Sequence, residues 1–242
     1  MSKVIFKNAQ IGYKRKRNDF NVVIDKLNLT IPEDKISVII GESGSGKTTI
    51  LRAIAGLINL EEGEIYFDDV LVNRYDPASR NVSYVSQMIG LYPNLDVFNN
   101  IAFPLKVSHT PSDEIRERVY EVADILKITH CLTRKPKELS IGQAQRVAIA
   151  RAIIKRANIY LFDEPFSNLN KDLSRELTLE LKAHLSTLRA TALFISHDVN
   201  EALSIADHVF VMHEGKIIFD DEPQKIIKSK NKIVINLLEA SR

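Results

Sequence analysis

The sequence has no tryptophan, a single cysteine, three methionines and a formal charge of only +2. Each shortage excludes something. With Cys131 alone no internal disulfide can form, so a reducing compartment is the natural home. The residue reads as structural filler, not as a thiol nucleophile paired with the adjacent His130. The small net charge gives no reason to expect nucleic acid as a partner. No apolar run approaches the length that spans a bilayer, and Met1-Ser2-Lys3-Val4-Ile5-Phe6-Lys7 lacks the apolar core of a signal peptide. If this protein serves a membrane, it does so from outside the lipid. His109, His130, His184, His208 and His213 share no ligand spacing, so no zinc site is expected.

What is present is ordinary for a globular chain: 242 residues, 45% apolar and 26% charged, enough for one full core over 1–242. Within it, Ile36-Ser37-Val38-Ile39-Ile40 is a short β-branched run of the kind covered on both faces of a parallel sheet. It leads directly into Gly41-Glu42-Ser43-Gly44-Ser45-Gly46-Lys47-Thr48, which fits G-x-x-x-x-G-K-[ST], and then into a helical stripe at Ile50, Leu51, Ile54 and Leu57. Strand, glycine-rich turn and helix in that order form a phosphate-binding loop. Gly41, Gly44 and Gly46 let backbone N–H groups face a triphosphate alongside Ser43, and the helix start adds roughly half a positive charge. Lys47 can reach the β- and γ-phosphates, the Thr48 hydroxyl can ligate Mg²⁺, and Thr49 is expected to face the α-phosphate.

Two strands are expected at Val4–Tyr13 and Val22–Ile31, joined by the basic tip 14–19, which is either a solvated hairpin end or a contact for anionic lipid. Glu64–Phe67 and Val70–Val72 flank an Asp68-Asp69 turn. These segments suggest a small antiparallel sheet beside the parallel one. After a strand at Asn81–Val85, a helical section from about 88 to 157 is read as an insertion. Asp96 caps a short helix through Ile101 that Pro104 is expected to stop, and Pro111 is placed at the first position of the next helix. Ser140 with Gln143 three residues on forms a capping box, leaving an exposed helix start. Ile159–Phe162 then ends in Asp163-Glu164. Two acids after a buried strand suit a site: Asp163 the Mg²⁺ shell through water, Glu164 the attacking water. A leucine-striped helix follows from Leu173. The strand Thr191–Ile195 ends at Ser196-His197, which can reach a γ-phosphate if that strand neighbours the one bearing Asp163. A hairpin over His208–Met212 and Lys216–Phe219 and a charged helical tail complete the chain. The fold class is α/β, a P-loop core with a mainly parallel sheet, an antiparallel N-terminal β subdomain and an inserted α-helical subdomain.

Together the phosphate loop through Thr49, Gln87 at the end of a strand, Leu139-Ser140-Ile141-Gly142-Gln143, Asp163-Glu164 and His197 resemble the ATP-binding subunit of an ABC transporter, most like importer subunits. The resemblance spans nearly the whole chain. It implies a head-to-tail dimer, identical or mixed, with ATP held between one subunit's phosphate loop and the other's helix start at Ser140 and Gly142. Gln87 would complete the Mg²⁺ shell and share in catalysis with Glu164 and His197. Tyr13, or alternatively Phe20, would stack on adenine. Transmembrane permease subunits and a solute-binding protein are the implied partners, at the inner, cytoplasmic face of the cell membrane. Tyr92, Val97 and Phe98 would line a groove for the permease. Export or lipoprotein-release ATPases and soluble non-transport ATPases of the same fold are the alternatives, and the sequence does not contain the extra C-terminal β domain of many sugar importers. Two departures stand out: Ile141 replaces a second signature glycine, and Asn170 replaces the aspartate that usually ends the loop after the acid pair.

Overall fold

The computed structural model describes residues 2–15 and 19–240. Residues 16–18 of the basic tip lie outside the described residues. In chain order the elements are β1 (Val4–Arg15), β2 (Asp19–Ile31), β3 (Ile36–Ile40), α1 (Lys47–Ile54), β4 (Leu60–Phe67), β5 (Val70–Leu71), β6 (Val82–Val85), α2 (Val97–Val107), α3 (Ser112–Ile125), α4 (Ile141–Ile153), β7 (Ile159–Asp163) and α5 (Lys171–Thr187). Then follow β8 (Thr191–Ser196), α6 (Val199–Ile205), β9 (His208–His213), β10 (Lys216–Asp221), α7 (Pro223–Ile226) and α8 (Lys232–Glu239).

Two sheets form. One is antiparallel in the order β2-β1-β4-β5; the other runs β10-β9-β3-β8-β7-β6 and is parallel except for its β9–β10 hairpin. Every residue of β3, β7 and β8 is buried, as runs without polar alternation require when both faces are covered. The strand period divides them between two cores. Ile39, Leu161 and Leu193 face α1 and the antiparallel sheet, whereas Val38, Phe162 and Phe194 face the helical layer. Phe162 and Phe194 stack with ring centres 4.3 Å apart. Helices α2, α3 and α4 lie between β6 and β7 in the chain, where the insertion was expected.

Three local expectations need correction. Helix α2 does not stop at Ile101 but runs through Pro104 to Val107. Pro104 leaves one carbonyl without its helical donor, yet continuing the helix buries Leu105 to 4% exposure beside Val97 and Ile101, which offsets that loss. Pro111 is the N-cap of α3 and stands one position before its first residue. Strand β4 begins at Leu60, four residues earlier than the sequence suggested, because Gly63 at φ +84° absorbs a bulge against β1 that no other residue type tolerates cheaply. Cys131 is fully buried in the helical core. No helix among the described residues is long and apolar enough to cross a membrane.

Candidate functional site

Register brings the site together. Ile40 pairs with Ser196 and Asp163 with Ile195, so the phosphate loop, the acid pair and His197 leave the same edge of the sheet from adjacent strands. Strand β6 pairs with β7 up to Val85 and Phe162, which delivers Gln87 to that edge as well.

Gly41 is obligatory in the loop, since a Cβ there would lie 2.1 Å from the Met212 carbonyl oxygen. Gly44, at φ +82°, would carry its Cβ into open space, so only its backbone conformation demands glycine. The first turn of α1 has no side-chain cap at Gly46, which leaves its N–H groups free of a side-chain acceptor. The Ser43 side of the loop is exposed, whereas Lys47 is only 7% exposed. Its Nζ donates to the carbonyl oxygens of Gly41 and Glu42, both at 2.8 Å. Burial lowers the Lys47 pKa against the opposing pull of Glu164, Asp163 and Glu42. A cation already held inside an anion-shaped loop is poised for phosphate.

Thr48 Oγ1 donates to Asp163 Oδ1 at 3.1 Å, and Tyr84 Oη donates to Asp163 Oδ2 at 3.2 Å. Asp163 is 3% exposed, and burial holds its carboxyl above the usual carboxylate range. Burial, helped by the Asp163 charge, pushes the Tyr84 hydroxyl up to about 12. Hydroxyl and carboxylate oxygens with a buried, under-compensated charge suit a small hard cation, so Thr48 and Asp163 fit Mg²⁺. Thr49 Oγ1 lies 3.3 Å from Tyr13 Oη. Tyr13 therefore sits beside the phosphate-loop helix, whereas the Phe20 ring lies over Gly12, 2.9 Å from where a Cβ would be.

Glu164 adopts φ +49°, a left-handed conformation that costs a non-glycine residue of order 1 kcal/mol and turns its side chain off the strand axis. Its Oε2 accepts from Gln87 Nε2 at 3.4 Å and lies 3.4 Å from His197 Nδ1. His197 is exposed, so an incoming ligand can reach it. Lys47, the Thr48–Asp163 pair and the Gln87–Glu164–His197 set thus gather at one edge of the sheet. Ser140, Gly142 and Gln143 are not among them. The Ser140 hydroxyl accepts from Gln143 N at 3.2 Å and Gln143 Oε1 accepts from Ser140 N at 3.0 Å, closing the expected capping box on an exposed helix start. Ile141 stands 67% exposed beside it, and a Cβ on Gly142 would meet Leu169 Cδ2 at 2.5 Å. Asn170 keeps a local role that asparagine and aspartate share, capping α5 by accepting from Leu173 N at 2.9 Å.

A separate groove of about 290 Å³ runs between β6 and the helical section and is lined by Met88, Tyr92, Phe103, Pro104 and Arg151. Tyr92 lines it as expected. Val97 and Phe98 do not: Val97 is fully buried on the same face of α2 as Ile101 and Leu105, Phe98 packs on the core, and Phe103 lines the groove instead. Tyr84 and Arg80 escaped the sequence reading. Arg80, 4% exposed, donates through Nη1 to the Ala53 and Ile54 carbonyls at 2.8 and 3.0 Å and so closes the far end of α1. Only strand order could have placed Tyr84 beside Asp163.

Comparison with known proteins points the same way. The family model described as ABC transporter matches residues 24–167. The sn-glycerol-3-phosphate import ATP-binding protein UgpC of Bartonella quintana (strain Toulouse) is 42% identical over 204 residues, 84% of this chain and 59% of that protein. A protein of the same name from Ralstonia nicotianae (strain ATCC BAA-1114 / GMI1000) is 40% identical over 217 residues, 90% of this chain and 58% of its own length. The chain therefore spans less than two thirds of the relatives it matches. A solved dimeric structure of the ATP-binding cassette MJ0796, in a post-hydrolysis state with ADP and Pi, superposes with a TM-score of 0.83 at 29% identity, covering 91% of this chain and 98% of that one.

Proposed function

The chain belongs to the ABC transporter family, and from that premise we propose that it binds ATP between two copies, hydrolyses it and powers transport through a separate membrane permease, with import as the direction. One observation carries the reading: the sheet edge gathers a phosphate loop with a buried lysine, a buried carboxylate joined to Thr48, and a second acid in contact with both a glutamine and a histidine.

In this reading each residue has a defined task. The loop N–H groups bind phosphate oxygens and Lys47 Nζ exchanges its present carbonyl partners for them, while Tyr13 stacks on adenine. Thr48, Asp163 and Gln87 would hold Mg²⁺, which would supply neutralisation of the charge on the phosphates. Glu164 orients the attacking water and accepts its proton. Its contact with Gln87 and His197 limits where that carboxylate can point, and His197 donates to the γ-phosphate. The exposed, capped start of α4 on the second copy, at Ser140, Gly142 and Gln143, meets the same γ-phosphate from the far side, so its dipole and hydroxyl stabilise charge on the transferred group. Because ATP contacts both copies only when they close, binding favours the closed dimer and hydrolysis releases it.

The permease is assigned to the groove lined by Met88, Tyr92, Phe103 and Arg151, a surface of mixed polar and apolar character whose Ser86 and Met88 flank Gln87 in the chain. Its relatives named as import ATP-binding proteins support import and, by analogy, a solute-binding protein in the same system. The location that follows is peripheral, on the inner face of the membrane. A pair of identical copies is the simplest assembly.

The decisive test is sedimentation of Glu164→Gln with MgATP. Removing the proton acceptor while keeping the side-chain shape should trap a dimer that is absent without nucleotide. A protein that stays monomeric at saturating MgATP refutes the sandwich.

A further inference from the structure

One carboxylate outside the phosphate-binding constellation ties together the two segments that flank it. Glu201 stands in the first turn of α6 and is partly buried. Its Oε1 accepts from Ser174 Oγ at 3.2 Å and from Thr178 Oγ1 at 3.3 Å, both on α5, and its Oε2 accepts from Ser196 Oγ at 2.7 Å, at the end of β8. Hydroxyl bonds to an ionised carboxylate are about twice as strong as neutral ones. Ser196 has one proton to donate, and the 2.7 Å contact wins it over the Asp198 carbonyl at 3.2 Å. The same hydroxyl is then free to accept from Asp198 N at 3.1 Å. Both neighbours of His197 are fixed in this way, while its own side chain is 64% exposed and among the described residues pairs with Glu164 Oε2 at 3.4 Å. The imidazole is therefore placed by its backbone, and Glu201 holds that backbone together with the β8 ladder at Ser196 and the Asp198 cap of α6.

The other end of the linkage reaches the signature helix. Helix α5 begins directly after the turn that follows Glu164, and Leu169 in that turn occupies the space a Cβ on Gly142 would fill. A continuous set of contacts therefore runs from the start of α4 through Leu169 and α5 to Glu201 and His197. We propose that Glu201 is a positioning residue for phosphate hydrolysis, locking His197 to α5 so that a displacement of the α4 start on dimer closure is carried to the imidazole. The inference rests on the ATPase reading above.

Three variants of the full chain test it: Glu201→Ala, Glu201→Gln, and the double variant Ser174→Ala/Thr178→Val, which cuts the α5 arm and spares Ser196. Mispositioning by about 1 Å costs on the order of 100-fold in rate, so Glu201→Ala and the double variant should each lower kcat about 10- to 100-fold. KM for ATP should change less than about threefold, since the phosphate loop, Lys47 and Tyr13, which make most of the contacts to the nucleotide, lie outside the linkage. Glu201→Gln retains an acceptor, and its amide can donate to the same hydroxyls, so it should recover most of kcat. Thermal melts of each variant separate a rate loss from unfolding. Wild-type kcat in the double variant overturns the inference, as does a kcat loss in Glu201→Ala that follows the unfolded fraction. Each is also measured for MgATP-dependent dimerisation in the Glu164→Gln background. A dimer that forms while Glu201 variants retain wild-type kcat sinks this inference alone, whereas no dimer in Glu164→Gln itself sinks the ATPase reading on which it stands.

Discussion

Replacing Asp163 with asparagine should make the nucleotide-free protein more stable while disabling it. Asp163 is 3% exposed and accepts, among the described residues, from Thr48 and Tyr84, and burial holds its carboxyl above the usual carboxylate range. Asparagine keeps the acceptor facing Thr48 and turns an amide donor toward the Tyr84 oxygen. What disappears is the cost of a buried charge, a net gain on the order of 1–2 kcal/mol at neutral pH. For a chain of this size each kcal/mol moves Tm by about 2–4 °C, so a rise of about 2–8 °C is expected. The pH dependence fixes the cause. A raised folded pKa means that the wild-type carboxyl contributes its full stability below the unfolded pKa and loses it as pH rises through the folded one. The gap between variant and wild type should therefore open above the usual carboxylate range and close towards acid, where both side chains are neutral. Scanning calorimetry across that range, with chelator and without nucleotide, measures it. Adding MgATP at about 100 times its Kd should then raise the wild type by about 2.7 kcal/mol and the variant by far less, reversing the order. A variant less stable than wild type at pH 7 without nucleotide, or a gap that ignores pH, would refute the buried-charge argument.

Three further outcomes follow from other parts of the structure. Lys47→Ala removes a charged donor from the loop and should weaken MgATP binding about 10- to 150-fold by calorimetric titration, with the far-ultraviolet circular dichroism unchanged. Arg80→Met strips the donors from the carbonyls that close α1 and should cost about 2–4 kcal/mol in urea denaturation; a loss below 0.5 kcal/mol would mean that water replaces the guanidinium freely. Pro104→Ala restores the missing donor of α2 and should stabilise by about 1–2 kcal/mol after the greater freedom of the unfolded chain is subtracted, and no gain in Tm would show that the helix already accommodates the proline.

Much of the site was legible because its residues declare themselves locally. The phosphate loop requires glycine where the backbone is left-handed or crowded, and that requirement is written directly in Gly41, Gly44 and Gly46. The capping box at Ser140 and Gln143 is likewise a four-residue device whose partners are fixed by helix geometry. Pro104 was misread because helix propensity is a local quantity, and the burial of Leu105 that overrides it is not. Val97 and Phe98 face the core because the α2 face shared by Val97, Ile101 and Leu105 is the buried one, and which face of a helix is covered is likewise decided by packing.

The sequence alone determined which chemistry is available: a lysine behind glycines, hydroxyls, two acids after a buried strand, and a histidine after another, each set by neighbours a few residues away. Tertiary structure alone decided that β7 lies between β6 and β8, and hence that Tyr84 holds Asp163, that Gln87 and His197 share one oxygen of Glu164, and that Glu201 joins α5 to the histidine. Strand order and register come from how two cores close on opposite faces of one sheet, and that packing joins residues as far apart as Thr48 and Asp163, which no local pattern relates.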